Sequence, residues 1–435
     1  MSTAATGGFT EASFESFLAS RNEPDWSIER RRTAWRTFQS LDWPRANDEE
    51  WMRTDIRLFK ADRFAPPAAA SSDDLDVPPS ELTGLDPAGR LVSFNSRTVD
   101  VSLDPPIAQQ GVRWSSLDEA LLHDADTVRP RLLQSGFDTT ADRFAALHGA
   151  CWSGGAFLHV PRNVRVARPF HLMSALGQGG ADFSHLLVVL EPGAEATLVC
   201  ETLHANVGSG FHCGGVELVI GAGAVLRFVT FQNWNQKVWH FARQHATLDA
   251  DASLEWTVGA LGSRLAKVNQ TVRLDQPGAE CRVNGALFTQ HRQHLAYHTL
   301  QHHRAPRCRS DFLYKAALQD QSRTVWRGMI RVDEAAQQTD GYQRNDNLML
   351  SSEARADSIP GLEIEADDVR CTHGSTTGSV DEELLFYAMS RGFTRREAVR
   401  LIVTGFFQHV FDRVTIDTVR NGLAAAIGRR VREYD

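Results

Sequence analysis

The feature that most constrains the fold is a degenerate repeat in the middle of the chain. Short apolar runs alternate with tight turns, and alanines in four successive turns are 30, 28 and 27 residues apart. These turns are Pro192-Gly193-Ala194, Gly223-Ala224, Asp251-Ala252 and Pro277-Gly278-Ala279. Each unit predicts a strand, a turn and a strand, with a length typical of a solenoid repeat that stacks only on its neighbours. A sandwich or a barrel uses similar strands, but the near-constant period favours a β-solenoid.

The repeat lies between two regions of different character. We predict a mainly helical N-terminal region with a linker at 1–150, a parallel β-helix core at 151–379 and a C-terminal helical region at 380–435. SIERRRTAWRTFQSLDW places Trp35 and Phe38 on one helical face, whereas APPAAASSDD is typical of a linker or surface loop. No long helical segment interrupts the repeat, which argues against a βαβ sheet. The expected fold class is therefore mainly β, flanked by helices.

Composition excludes several classes of protein. The chain has 435 residues, of which 42% are hydrophobic, so it can bury a large core. Its net charge of −8 and the lack of a basic stripe argue against nucleic-acid binding. No apolar stretch approaches the roughly 18 residues of a membrane span, and the first residues lack a signal-peptide pattern. The six cysteines form no CxxC pair, which argues against a zinc knuckle or a disulfide framework. We expect a soluble, cytoplasmic protein.

The segment LEIEADDVRCTHGSTTG, residues 362–378, is the main candidate for chemistry. On a strand, Cys371 and His373 would share one face because they are two residues apart. Thiolate and imidazole suit zinc, ferrous iron or an iron–sulfur cluster, but two ligands do not complete a site. Other ligands would come from this chain or from a partner, and the alternative interpretation is packing and hydrogen bonding. Asp367 and Asp368 could be ligands or general acids, although adjacent acids commonly cap a turn.

A histidine-rich segment, HRQHLAYHTLQHH, is a second candidate for a metal site. On a helix, four of its histidines would line one face and could hold a transition metal. These are His291, His294, His298 and His302. The repeat predicts strands here, however, and on strands we expect the four to scatter to both faces. This segment is therefore the weaker metal candidate.

Signatures of common enzymes are missing from the sequence. There is no GxSxG elbow, no GxGxxG after a strand and no Walker A motif, and HGSTTG lacks the length and the lysine of a phosphate loop. A β-helix enzyme that acts on a polysaccharide through scattered acids and basic residues stays open as an alternative. The missing export signal counts against it.

The last region predicts helices with an unusually apolar surface. Capping boxes are expected at Ser379–Glu382 and Thr394–Glu397, each at the start of a helix. The apolar stripe of the second helix is wide for a short terminal helix, which indicates either packing on the solenoid or a contact face for a partner. The candidate partner-binding residues are Phe386, Tyr387, Leu401, Phe406, Phe407 and Val410.

A long ordered series of fragments between about His303 and about Phe411 resembles the SufB/SufD family of the SUF machinery, which assembles iron–sulfur clusters. LYKAALQDQSRTVWRGMIRVDEAAQQTDGYQRNDNLML and LEIEADDVRCTHGSTTG carry much of the resemblance. QRNDNLMLS, DDVRCTHGSTTG and the N-terminal EPDWSIERRRTAWRTFQSLDWPRANDEEWMRTDI are similar to the SufD branch. The middle of the chain matches mainly in its repeat character.

The resemblance implies a right-handed parallel β-helix in a non-catalytic scaffold subunit. It implies a SufB-like paralogue beside the β-helix and a SufC-like ATPase docked on 380–435. It also implies that His373, with Cys371, contributes to a nascent cluster whose other ligands include a cysteine of the SufB-like partner. We therefore expect the isolated chain to hold no iron or iron–sulfur cluster stably and to hydrolyse no ATP. A stand-alone homodimeric metal or iron–sulfur carrier is the remaining alternative.

Overall fold

Two long sheets that face each other dominate the structure. The computed structural model describes residues 8–45, 47–67, 77–134, 136–203 and 208–431. The strands are β1 (Gly89–Phe94), β2 (Arg97–Leu103), β3 (Arg113–Ser116), β4 (Gly154–Val160), β5 (Phe170–Ala175), β6 (Ala181–Asp182), β7 (Ser184–Leu190), β8 (Glu195–Thr202), β9 (Gly210–Ile220), β10 (Val225–Gln232), β11 (Val238–Leu248), β12 (Ser253–Ala260), β13 (Leu265–Leu274), β14 (Glu280–Thr289), β15 (His294–His303), β16 (Arg309–Leu318), β17 (Arg323–Val332), β18 (Thr339–Met349), β19 (Arg355–Ile364) and β20 (Val369–Ser379). The helices are α1 (Glu11–Ala19), α2 (Asp25–Ser40), α3 (Pro105–Ala108), α4 (Leu117–His123), α5 (Ala125–Val128), α6 (Arg143–Cys151), α7 (Glu382–Ser390), α8 (Arg395–Phe411) and α9 (Asp417–Arg430), with a 3₁₀ turn at Ala61–Arg63.

From β4 onward, successive strands alternate between the two sheets, apart from the two-residue β6. Sheet A has the order β2-β1-β5-β8-β10-β12-β14-β16-β18-β20, and sheet B has the order β3-β4-β7-β9-β11-β13-β15-β17-β19, with β6 beside β9. From β4 onward the pairs are parallel, so each turn of the chain adds one strand to each sheet. The result is a β-solenoid of about eight turns with helices toward both termini. The predicted fold class is therefore confirmed, and its right-handed sense stays an expectation from the resemblance.

The predicted turns join the two sheets at one edge of the solenoid. Gly193, Gly223, Asp251 and Gly278 each adopt a left-handed backbone, with φ between 56° and 77°. The amide of each donates a hydrogen bond of 2.8–3.3 Å to a carbonyl in the following turn. The alanines after these residues are at most 1% exposed, so a small side chain is needed where the turns stack. The spacing in the sequence thus records a ladder of stacked turns.

Alternation within each strand separates the solenoid core from its outer faces. In β13, for example, Ala266, Val268 and Val272 belong to the inner hydrophobic cluster. Lys267 and Asn269 lie between them and point outward, because successive side chains of a strand leave opposite faces. The same alternation in the other strands fills the space between the sheets with aliphatic and aromatic side chains.

Two groups of helices cover the outer faces of the sheets. The N-terminal cover, α1, α2 and α4–α6 with the intervening segments, packs on sheet B. The C-terminal cover, α7–α9, packs on sheet A. Trp35 and Trp51 are buried in the first of these interfaces. Strands β1–β3 also lie within 1–150, which was predicted as mainly helical, and they extend the sheets beyond the repeat.

The helix caps agree only partly with the sequence pattern. The capping box at Thr394 is confirmed: its hydroxyl accepts from the Glu397 amide, and the Glu397 carboxylate accepts from the Thr394 amide. The box expected at Ser379 is wrong, since β20 continues to that residue. Asp381 caps α7 instead and accepts from the amides of the first turn. None of the described helices is long and apolar enough to cross a membrane.

Candidate functional site

The solenoid ends in an open final rung made of β19 and β20. Within the described part of the chain, β19 pairs only with β17 and β20 pairs only with β18. These strands are 10 and 11 residues long, and each leaves one backbone edge outside a ladder. Long unpaired edges are a template for pairing with another chain. This end of the solenoid is therefore suited to receive further strands.

The inner face of the final rung is apolar and exposed. Leu362 and Ile364 are in register with Ile330 and Val332, which are fully buried inside the solenoid. No further rung lies above the final one in the described structure, so Leu362 and Ile364 are 38% and 40% exposed. Leu362 and Ile364 thus continue buried apolar rows of the solenoid but are themselves exposed to solvent. This indicates a surface that a partner can cover.

Cys371 and His373 lie on the sheet A side of this rung. Both belong to β20, so their spacing of two places them on one face, and His373 is in register with Gln343. Gln343 is buried and donates to backbone carbonyls of Gly328 and Gly361 on the opposite sheet, which makes this the inner face. The pair therefore lies at the open end of the solenoid interior.

The two side chains differ in their surroundings. Cys371 packs against the buried cluster that includes Ile330, and this partial burial raises the pKa of its thiol. His373 is exposed. Across the described residues, no group of three or more His, Cys, Asp or Glu side chains could hold a metal ion. Within the described part of the chain, no third His, Cys, Asp or Glu side chain thus joins this pair to form a metal site.

The adjacent acids before this strand belong to a turn. The Asp368 amide donates to the Gln337 side chain at 2.8 Å, and the Asp368 carbonyl accepts from the Gln338 amide at 2.6 Å. Asp367 is exposed in the same turn. These contacts favour the turn interpretation of Asp367 and Asp368 over a role as ligands or acids.

The C-terminal cover presents a second apolar surface, called here the helix patch. Its exposed members are Leu384, Phe386, Tyr387, Met389, Phe393 and Leu401, between 43% and 75% exposed. Three of the predicted partner-binding residues, Phe386, Tyr387 and Leu401, belong to it. Phe406 is partly buried. Several large apolar side chains exposed on two neighbouring helices are typical of a protein-interaction surface.

Phe407 and Val410, by contrast, are fully buried and do not belong to the helix patch. Val399, Val403, Phe407 and Val410 form the buried face of α8 on sheet A. The predicted partner contact of Phe407 and Val410 is therefore corrected, because both side chains pack on the solenoid.

Polar contacts also hold α8 on the solenoid. The Lys315 ammonium of β16 donates to the Phe406 carbonyl at 2.9 Å, and the Arg413 guanidinium, just after α8, lies 3.0 Å from the Asp311 carboxylate. Both bonds join the end of α8 to one strand of sheet A. The helix patch is thus presented on a fixed support.

The histidine-rich segment forms β15 and the turn before it. His294, His298 and His302 share the outer face of sheet B, so the expectation that they would scatter to both faces was wrong. The three histidines are four residues apart, and an even spacing places side chains on the same face of a strand. Each has its own surroundings: burial lowers the pKa of His294 to about 4, while His298 and His302 contact Glu50 and Asp333 at 2.9 and 2.8 Å. No metal site forms there among the described residues.

Sequence reasoning missed a buried polar network under the N-terminal cover. His148 Nδ1 lies 2.8 Å from the Cys213 carbonyl, which accepts its proton, and His148 Nε2 lies 2.9 Å from His185 Nδ1. His185 Nε2 lies 3.1 Å from the Glu217 carboxylate, and both of these side chains are fully buried. Only the spacing of His185 and Glu217, about one repeat apart, could have pointed to it.

Comparison with known proteins identifies the family. The model for "SUF system FeS cluster assembly, SufBD core domain" matches residues 172–406. An iron–sulfur cluster assembly SufBD family protein of Mycobacterium leprae is 35% identical over 306 residues, which cover 68% of this chain and 76% of the relative. The chain belongs to the SufBD family. A SufBD family protein of Mycobacterium tuberculosis is 32% identical over 378 residues, 85% of this chain and 90% of the relative. A Staphylococcus haemolyticus member is 26% identical over 415 residues, covering 92% and 88%.

The SufBD match covers the features described above. It begins in β5 and ends in α8, so it includes the solenoid repeat, the final rung and the helix patch. Cys371 and His373 also fall inside it. The chain is thus a member of a family of SUF iron–sulfur cluster assembly components.

Proposed function

We propose that this chain is a SufD-like, non-catalytic scaffold subunit of an iron–sulfur cluster assembly complex. It pairs with a SufB-like paralogue through the final rung and docks a SufC-like ATPase on the helix patch. The observation that carries the proposal is the open final rung, which combines unpaired strand edges with an incomplete Cys371–His373 pair.

The shape of the final rung supports a related solenoid as the partner. Another solenoid that ends in two parallel edges can continue both sheets and cover Leu362 and Ile364. A second copy of this chain has the same edges, so self-pairing competes with the paralogue. The paralogue is favoured because the resemblance gives it a cysteine at this junction, which would add a ligand to Cys371 and His373.

The cluster is cargo that the complex builds at this junction. His373 supplies an imidazole, Cys371 a thiolate, and the partner a further cysteine, which together suit iron or an iron–sulfur cluster. Burial raises the pKa of the Cys371 thiol, so a bound cation is needed to favour its thiolate. The isolated chain therefore binds iron weakly and only the complex retains it.

The helix patch supports docking of the ATPase. Phe386 and Tyr387 are 75% and 57% exposed, and aromatic side chains of this kind dominate interface energetics. Lys315 and Arg413 fix α8 on the solenoid, so movement of a docked ATPase would be passed to the strands that lead to the final rung.

Co-purification tests the two surfaces separately. We expect the tagged chain, co-expressed with SufB-like and SufC-like proteins, to form a three-component complex. Phe386→Asp with Leu401→Asp should remove only the SufC-like protein, and Leu362→Arg with Ile364→Arg only the SufB-like protein. Leu58→Asp is the matched control, because Leu58 is 66% exposed on the N-terminal side. Retention of both partners by both double variants would overturn the proposed surfaces.

The role of His373 is tested on the assembled complex. His373→Ala should leave all three components associated and lower the iron and sulfide recovered with the complex by about tenfold or more, as expected when one metal ligand is removed. His409→Ala is a matched control, since His409 is exposed on α8. Unchanged iron content in His373→Ala would show that His373 is no ligand. Reproducible ATP hydrolysis by the purified chain alone would contradict the non-catalytic assignment.

A further inference from the structure

Lysine is rare in this chain and two lysines are buried. Four lysines occur among 46 basic residues: Lys60, Lys237, Lys267 and Lys315. Lys60 and Lys237 are exposed, whereas Lys267 and Lys315 are only 2% and 9% exposed. Lys315 has the Asp346 carboxylate at 3.7 Å, but the described structure gives Lys267 no carboxylate within ion-pair distance. Lys267 is therefore a buried amine without a direct counter-charge.

The contacts of Lys267 come from a backbone carbonyl and an imidazole. Nζ lies 2.9 Å from the Glu50 carbonyl oxygen, 2.8 Å from His298 Nε2 and 2.9 Å from His298 Nδ1. His298 Nδ1 also lies 2.9 Å from the Glu50 carboxylate, which accepts its proton. Nε2 is then the acceptor for Lys267. A neutral amine has two N–H bonds, and these two acceptors account for both while leaving its lone pair unused.

The charges around Lys267 favour the neutral amine. Burial lowers its pKa most, and Arg327 and Arg243 lower it further, while Glu50 and Asp142 oppose them, so the pKa falls to about 7. These groups come from β17, β11, the segment before Trp51 and the start of α6, and β15 adds the His298 imidazole beside the amine. A substantial fraction of Lys267 is therefore nucleophilic at neutral pH, unlike an exposed lysine.

A cleft of about 390 Å³ opens beside this amine on the outer face of sheet B. Its lining includes Trp51, Lys267, Thr271, His298, Arg327 and Arg331. Glu50 and Asp142 also line the cleft, and the Arg327 guanidinium is occupied by the Glu49 and Glu50 carboxylates. Arg331 Nε, in contrast, has no hydrogen-bond partner in the described structure and can bind a ligand carboxylate, while the threonine hydroxyl can bind a carbonyl oxygen. The cleft thus joins a nucleophile, a proton carrier and one available anion-binding group.

We propose that this cleft binds small carbonyl compounds that carry a carboxylate, such as 2-oxo acids, and that Lys267 forms a reversible imine with them. The amine nitrogen attacks the carbonyl carbon to form a C–N bond. The carbonyl C–O bond then breaks, and the oxygen leaves as water with the two protons that the nitrogen carried. His298 carries protons from nitrogen to oxygen, and no electrons are exchanged with another molecule.

Reductive labelling of the full chain tests this site. The probe is glyoxylate with cyanoborohydride at pH 7, which converts an imine to a carboxymethyl amine that peptide mass spectrometry locates. We expect Lys267 to be modified at least about tenfold faster than Lys60, Lys237 or Lys315, because its amine is neutral near pH 7. The rate at Lys267 should reach half its maximum near pH 7, while the rates at Lys60 and Lys237 should still rise above pH 9.

Variants and a neutral probe separate the parts of the proposal. His298→Gln should slow the labelling of Lys267 and leave that of Lys60 unchanged, and Lys237→Arg, a surface control, should change neither. Acetaldehyde lacks the carboxylate and should show a much smaller preference for Lys267. Labelling of Lys267 no faster than that of Lys60 in the folded chain would overturn the reactive amine. Equal preference with acetaldehyde and glyoxylate would overturn carboxylate recognition.

Discussion

The two helical covers hold the same solenoid by different physical means. The N-terminal cover buries ion pairs and aromatic stacks against sheet B: Arg31 is fully buried, with Glu23 oxygens at 2.7 and 2.8 Å and the Trp152 ring 3.9 Å from its guanidinium carbon. Phe144 and Phe241 stack with ring centres 3.8 Å apart. The C-terminal cover meets sheet A mainly through Val, Leu, Ile, Ala and Phe side chains, and its polar contacts include the bond from Lys315 to the Phe406 carbonyl and the Arg413–Asp311 ion pair.

This difference has a functional meaning. Directional hydrogen bonds fix how a cover sits, since each buried polar group needs a partner in one geometry. Apolar packing is less directional. A helix that packs through one apolar face can expose the opposite face to solvent or to a partner. The C-terminal cover does so, because α7 and α8 carry the helix patch on the side away from sheet A. The N-terminal cover is thus attached through a fully buried ion pair, whereas the C-terminal cover leaves the helix patch exposed.

The largest expected effect concerns the buried ion pair of the N-terminal cover. Glu23→Ala leaves Arg31 buried without its counter-charge and should lower the free energy of unfolding by about 3–5 kcal/mol. Urea denaturation followed by tryptophan fluorescence measures this. Glu29→Ala is the control, since its pair with Arg36 is exposed and should contribute about 0–1 kcal/mol. Equal midpoints for the two variants would contradict the contrast between the covers.

Acid should affect the N-terminal cover more than the C-terminal cover. Burial raises the pKa of Glu23, but the Arg31 guanidinium more than reverses this, and the pKa falls from 4.5 to about 2. Because the folded-state pKa is lower, this carboxylate stabilises the fold above pH 4.5, and its contribution of about 3 kcal/mol is lost as the pH falls toward 2. Burial also lowers the pKa of His148 and His240 well below 6.5. The folded state therefore favours the neutral imidazoles, and the free energy of unfolding falls further as the pH drops below 6.5.

Hydrogen exchange resolves this acid effect by region. Protection of α2 and α6 should fall more between pH 6 and pH 3 than protection of α8, after correction for the intrinsic exchange rate. Glu23→Gln should flatten the dependence in α2. Parallel loss of protection in α2 and α8 at every pH would show that the covers do not differ in this respect.

The smallest expected effect concerns the two faces of the C-terminal cover. Phe407→Leu opens a cavity at a fully buried site and should cost about 1–2 kcal/mol of stability. Phe386→Leu, at a position 75% exposed, should change stability by less than about 0.5 kcal/mol. Thermal unfolding of both variants measures the difference. A larger loss for Phe386→Leu would mean that the helix patch packs within this chain.

Local patterns in the sequence predicted a large part of the fold and some of the site. The turn spacing predicted the stacked turns because each needs a left-handed residue and a small one at a fixed place. The shared face of Cys371 and His373 followed from a spacing of two in a strand. The histidines of β15 were assigned incorrectly, although the same rule applies to them. The burial of Phe407 depends on how α8 is rotated about its own axis on sheet A. The wide apolar stripe did not determine that rotation.

The sequence by itself determined the solenoid, its turns and the shared face of Cys371 and His373, because these depend on residues close together in one strand or turn. Only the tertiary structure decided which residues became neighbours across the covers. Lys267 meets Glu50 across 217 positions, and His298 meets the same residue across 248. Contacts of this range depend on how an entire cover packs on a sheet, and no period in the sequence encodes that packing.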